Sequence, residues 1–112
     1  MTRQKEPENV IVCPYEKAIS LIGNKWSLMI LRDLYLQNGP CRFNQLQRSL
    51  KGISSKTLSA KLKELAGNGI VEKEIVCVTP VIIQYILTEK GKEFTPILDA
   101  LAAWSKKWEP GK

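Results

Sequence analysis

No histidine occurs anywhere in this chain of 112 residues. That single absence removes the Ser–His–Asp triad, the Cys–His dyad and every histidine-containing metal site from the candidate chemistries. No run of about 18 apolar residues exists, so no segment is expected to span a membrane. The N-terminal MTRQKEPENV lacks the basic-then-apolar layout of a signal peptide. Cysteine is scarce: Cys13, Cys41 and Cys77 are odd in number, widely spaced and form no CxxC pair. They make neither a disulfide framework nor a zinc site, so reduced thiols in the cytoplasm are the simplest expectation. Glycine-rich phosphate loops are missing as well. An enzyme, a bound metal and a bound cofactor are therefore not expected.

A second absence is local. Between Leu34 and Lys63 there is no acid, but Arg42, Arg48, Lys51, Lys56, Lys61 and Lys63 are all basic. Residues 1–33 carry five Lys/Arg against four Asp/Glu, and residues 64–112 carry six against seven. The net charge of +6 thus resides in one segment of the chain. A charge so concentrated points to a polyanionic partner, whereas a uniformly basic surface would speak only of solubility.

The length fits one domain with a single modest core. Residues 1–12 are polar, without a period, and read as a flexible arm; residues 13–112 read as the domain. Pro14 suits the first position of a helix over CPYEKAISLIG, with Ala18, Ile19 and Ile22 as its buried stripe and Gly23-Asn24 as its break. KWSLMILRDLYLQ is a second helix, with Trp26, Met29, Ile30 and Leu34 on one side and Leu31 and Tyr35 widening the stripe. The NGP turn follows. RFNQLQRSL reads as a short helix capped by Asn44, with Leu46 and Leu50 facing inward. Lys51-Gly52-Ile53 then separates it from a helix that Ser54 caps and Gly67 or Gly69 ends. Two short helices joined by a Gly-containing turn are a helix-turn-helix. The β-branched runs at residues 70–76 and 81–87 predict a hairpin with Pro80 in its connection. Thr88 caps a final helix that Pro96 should kink or restart. The fold expected is mainly α with a small β-hairpin (α+β): a winged helix-turn-helix with a C-terminal dimerisation helix over about residues 88–108.

On the helix after Ser54, Leu58, Leu62 and Leu65 recur at core spacing. The opposite face holds Lys56, Ala60 and Lys63, with Thr57, Ser59 and Glu64 on its shoulders and Ser55 in the exposed first turn. A recognition helix presents its N-terminal residues to base edges, where Ser and Thr hydroxyls donate or accept and Ala meets a thymine methyl. Ser55, Lys56, Ser59 and Ala60 are the reading candidates, with Ser54 at the cap and Thr57 on the shoulder also assigned to the DNA-binding recognition helix. Lys61, Lys63, Arg42, Arg48, Lys51 and Lys73 are candidates for holding phosphates. The wing, Val78, Thr79, Pro80 and Val81, has no Lys or Arg at its tip, a departure from the usual basic wing. The rival reading is a winged helix used for RNA or protein contact.

These pieces together resemble the HxlR-type family of bacterial winged-helix regulators, relatives of the MarR group. The matching stretches are Cys13-Pro14, GNKWSLMILRDL at residues 23–34, RFNQLQRSLKGISSKTLSAKLKELAGNGIV at residues 42–71, and P…QYILTEKGKEF with PILDALAAWSKKW up to residue 108. Asn24 stands where the family usually has a second Gly. The resemblance implies a homodimeric, cytoplasmic, DNA-binding transcriptional regulator with its wing at residues 76–82. A two-fold dimer implies an inverted-repeat operator.

The apolar stripe Phe94, Ile97, Leu98, Leu101, Trp104 and Trp108 independently suggests a partner helix, and Ile19 of the first helix is placed against it. Cys13 precedes Pro14 at a helix N-terminus with Lys17 one turn on, a setting that favours a thiolate. Family members with cysteine at the matching position look like thiol sensors. Cys13 is accordingly the candidate redox switch, answering an oxidant or electrophile; a small-molecule effector is the other expectation.

Overall fold

The computed structural model describes residues 13–111. The proposed N-terminal arm lies outside the described residues. Helix α1, Pro14–Ile22, starts where Pro14 needs no backbone donor and ends at Gly23, whose N–H bonds the carbonyl of Ile19. A Cβ at Gly23 would collide with that carbonyl. The stripe expected on α1 is not buried within the protomer. Ile22 reaches the core, with Leu21 packed against it, but Ala18 is exposed and Ile19 is 66% exposed. Only the last turn of α1 meets the core.

Asn24 caps α2, Lys25–Gln37, by accepting from the N–H groups of Trp26 at 2.9 Å and Ser27 at 3.4 Å. Asn38, in the left-handed region at φ 55°, ends it. Ile30, Leu31 and Leu34 bury the inner face of α2. Burial of each such side chain is worth about 1.5–3 kcal/mol.

The residues after Pro40 form a short strand, β1, Cys41–Arg42, before α3, Phe43–Ser49, begins. Arg42, not Asn44, is the N-cap of α3, and its backbone N–H donates to Gln45 Oε1 at 3.2 Å. Asn44 lies exposed within the first turn, because strand pairing of Cys41 and Arg42 delays the helix. Leu46 and Leu50 face inward as expected.

Gly52, at φ +91°, makes the turn into α4, Ser55–Gly67. The hydroxyl of Ser54 accepts from the N–H of Thr57 at 3.0 Å. At the other end Gly69 takes φ +74°. Its N–H bonds Ala66 O and the Ile70 N–H bonds Leu65 O, the paired closure of a Schellman motif.

Strands β2, Val71–Val78, and β3, Val81–Leu87, are antiparallel, joined through Thr79-Pro80 with a cis peptide. Among the described residues the sheet has three strands in the order β1-β3-β2, not the two of a simple hairpin. β1 adds the pairs Cys41↔Tyr85 and Arg42↔Gln84. A bulge between Ile75 and Cys77 bends the outer half of β2.

The last helical segment restarts, as Pro96 requires: α5, Glu89–Lys92, then α6, Thr95–Trp108. Thr88 caps α5 by accepting from Gly91 N–H at 3.1 Å, and its hydroxyl donates to Ile70 O. The architecture is a winged helix-turn-helix of the α+β class with a C-terminal helix. Among the described residues no helix is long and apolar enough to cross a membrane.

Candidate nucleic-acid interface

Three leucines on one side of α4 decide what its other side offers. Leu58, Leu62 and Leu65 are buried, and the opposite strip of Lys56, Ala60 and Lys63 stands open to solvent with Ser59 beside it. None of those lysines has an acidic partner among the described residues. The strip is cationic at its ends and small in the middle, so a backbone or base edge can approach closely.

The serines divide their work. Ser54 accepts from Thr57 N–H and donates to Thr57 Oγ1 at 3.0 Å, so its hydroxyl is committed to the cap. Ser55 accepts from Gln47 Nε2 at 2.9 Å, leaving its own O–H free to donate. Gln47 is absent from the sequence-derived candidates. Residues eight apart become neighbours only through the Gly52 turn, and no local pattern announces that. Thr57 is half-buried on the shoulder of the strip.

Lys61 does not join the other lysines. Its side chain is 24% exposed and pairs with Glu64 at 3.3 Å. Both line a recess of about 290 Å³ with Ile19, Gly23 and Asn24, facing the α1–α2 junction. The reason is angular: Lys61 lies about 60° from Leu58 around the helix, close to the core edge.

Arg42 and Arg48 are exposed on β1 and α3 and share a cleft with β3. Lys51 is exposed in the turn, and Lys73 is exposed on β2 opposite Tyr85. At the wing Val78 is 76% and Val81 62% exposed, and Thr79 and Pro80 are exposed with them. Cys77 Sγ donates to Thr79 O at 3.6 Å.

A separate apolar surface lies on α6, which has no fully buried residue. Ile97, Leu101, Trp104 and Trp108 are exposed, the tryptophans at 61% each. Phe94 and Leu98 instead pack partly against the protomer's own core. Tyr35 Oη donates to Asp99 Oδ2 at 2.7 Å, fastening α6 to α2. That hydrogen bond is the main cause of a raised Tyr35 pKa, followed by burial and the Asp99 charge. Cys13 is the N-cap of α1, half-buried, with no side-chain cap bond. Cys41 is buried, and burial first and the Asp33 charge second push its thiol up. No cluster of three or more His, Cys, Asp or Glu residues that could hold a metal ion is found among the described residues.

Comparison with known proteins agrees with this geometry. The HxlR-like helix-turn-helix family model matches residues 21–112. The chain is 38% identical over 98 residues to the HTH-type transcriptional regulator YvaP of Bacillus subtilis, covering 87% of this chain and 89% of that one. It is 39% identical over 102 residues to the HTH-type transcriptional regulator YodB of the same organism, covering 89% of each. The reduced form of YodB superposes with a TM-score of 0.75 at 38% identity, over 91% of this chain and all of that one (100%). The redox regulator HypR in its oxidised form gives a TM-score of 0.78 at 32% identity, over 85% and 96% of the two chains. The chain belongs to the HxlR-like helix-turn-helix family of transcriptional regulators and is not an enzyme.

Proposed function

We propose that this regulator binds an inverted-repeat DNA operator as a homodimer, with α4 in the major groove. The observation that carries the reading is the open face of α4: Lys56, Ser59, Ala60 and Lys63 exposed, unpaired with acid among the described residues, and backed by buried leucines. In this reading Ser55, Lys56, Ser59 and Ala60 meet base edges. Lys63 and Lys51 hold phosphates, which set register without reading sequence.

The homodimer rests on the α6 surface. An aromatic side chain carries about 150–250 Å², and its burial is worth roughly 25 cal/mol per Å². Trp104 and Trp108 together with Leu101 and Ile97 therefore supply a sufficient core for a helix-to-helix interface, with exposed Ile19 of α1 available to the same partner.

Control by thiol chemistry rests on Cys13 and on the relatives. HypR is named a redox regulator, and YodB has been crystallised after diamide treatment. In this chain the half-buried Cys13 begins the helix that carries Ile19, so its modification would bear on the dimer surface. Diamide takes two electrons and two protons as two thiols become one disulfide. Binding to duplex DNA, single-stranded DNA and RNA, followed by anisotropy with and without diamide, tests the whole reading. Duplex preference, with a diamide response lost in Cys13→Ser, supports it. Equal binding to all three polymers refutes the DNA assignment, and an unchanged diamide response in Cys13→Ser refutes the switch.

A further inference from the structure

Strand β1 is only two residues long, yet its register places Arg42 beside the root of the wing, across from Gln84 of β3. Arg48 comes to the same place from the last turn of α3. Both arginines, with Asn44, line a cleft of about 490 Å³ whose far wall is Val81 and Ile83. Neither guanidinium has an acidic partner among the described residues. The one carboxylate in the same cross-sheet row is Glu74, two strands from Arg42 and accepting from the intervening Gln84 amide at 2.9 Å. The two strands are separated by β3, and no ion pair joins Glu74 to Arg42 among the described residues. Among the described residues the cleft therefore holds two forked cations and no acid in its lining.

Its neighbours say which anion fits. Gln47, one residue before Arg48, reaches Ser55 at the start of α4. The helix that carries Arg48 is thereby tied to the first turn of α4, the helix assigned to the major groove. Meanwhile residues 75–83, the outer part of the wing, contain no charged residue at all. A wing without charge cannot release counterions from DNA.

We infer that the α3–wing cleft seats one phosphodiester of the operator backbone, gripped by Arg42 and Arg48, while the wing lies against the sugars through Val78 and Val81. This rests on the DNA reading of α4. Arginine suits the task because its planar fork matches two phosphate oxygens at once. The electrostatic contact that a basic tip usually makes is here moved inward to the root of the wing.

The test is the slope of log K against log salt for a duplex of the selected operator and for an unrelated duplex. Arg42→Gln and Arg48→Gln should each flatten the slope by about 0.9 and weaken both duplexes alike. Adding the missing charge, Val78→Lys, should steepen it by about the same amount and tighten binding to both. Both arginine positions are exposed, and circular dichroism is the check that the variants fold. Duplex binding with slopes unmoved by the arginine variants overturns the phosphate seat and leaves the α4 reading standing. An unmoved slope in Val78→Lys overturns the placement of the wing. A wild-type protein that binds no duplex overturns this inference and the α4 reading together.

Discussion

The side-chain amide of Gln47 donates to the hydroxyl of Ser55 at 2.9 Å, joining α3 to the first turn of α4. The bond uses one acceptor lone pair of the Ser55 oxygen and leaves its O–H free to donate to a base edge in the proposed complex. Ser55 should therefore read an acceptor, such as a purine N7. Ser55→Ala is expected to relax specificity at one operator position, costing about 1–3 kcal/mol of discrimination. Gln47→Ala should produce a smaller loss at the same position. A panel of single-base operator variants, measured against both proteins, checks this; losses at different positions would break the link between the two residues.

The termini of α4 make a stability prediction independent of DNA. Ser54→Ala removes the cap accepted by Thr57 N–H and should cost about 1 kcal/mol. Leu58→Ala, at a fully buried site, should cost about 2–5 kcal/mol. Gly91→Ala should also be severe, because a Cβ there would run into the carbonyl of Ile70. Urea denaturation of the three variants orders them, and a Ser54→Ala loss as large as that of Leu58→Ala would contradict the assignment of Ser54 to capping.

Much of this frame was legible in the chain because local chemistry matched global need. Asn24, a helix break by sequence, is also the cap of α2. Ser54, Leu58, Leu62, Leu65 and the restart at Pro96 stand where the sequence places them. What escaped depends on partners distant in the chain. β1 is two residues whose identity as a strand comes from Gln84 and Tyr85. Gln47 gains its role only when the Gly52 turn brings it to Ser55. Lys61 shows the limit of a charge pattern: a lysine counts toward an interface by where it points, and this one points at Glu64. Ile19 shows the converse, an apolar residue at core spacing that the folded protomer leaves exposed.

The exposed stripe of α6 should break without loss of fold. Leu101→Glu or Trp104→Glu places a charge on a surface that the protomer leaves open. Sedimentation should show dimers for the wild type and monomers for the variants. Affinity for a two-half-site operator should fall more than tenfold while affinity for a single half-site is retained. Wild-type monomers at micromolar concentration, or dimeric variants, would contradict the role of α6.

The three thiols should separate by reactivity. Cys41 is 3% exposed, and burial raises its pKa, so a native-state thiol titration should label Cys13 and Cys77 and leave Cys41 until denaturant is added. The same shift has a pH consequence. Cys41 holds its proton more tightly folded than unfolded, so its contribution to stability is complete below the ordinary value near 9.0 and is lost as pH rises through the folded value. Cys41→Val should soften the alkaline fall in stability above that pH. Rapid native labelling of all three thiols would contradict the burial of Cys41.

The most direct measurement is selection of duplexes from a random library by the purified protein, followed by sequencing. The account predicts enrichment of an inverted repeat whose half-sites lie about one helical turn, or a multiple of it, apart. It further predicts that Lys56→Ala and Ser59→Ala change the enriched bases within each half-site and keep the spacing. A library that shows no enrichment, or an enriched motif without two-fold symmetry, would contradict operator recognition by paired α4 helices.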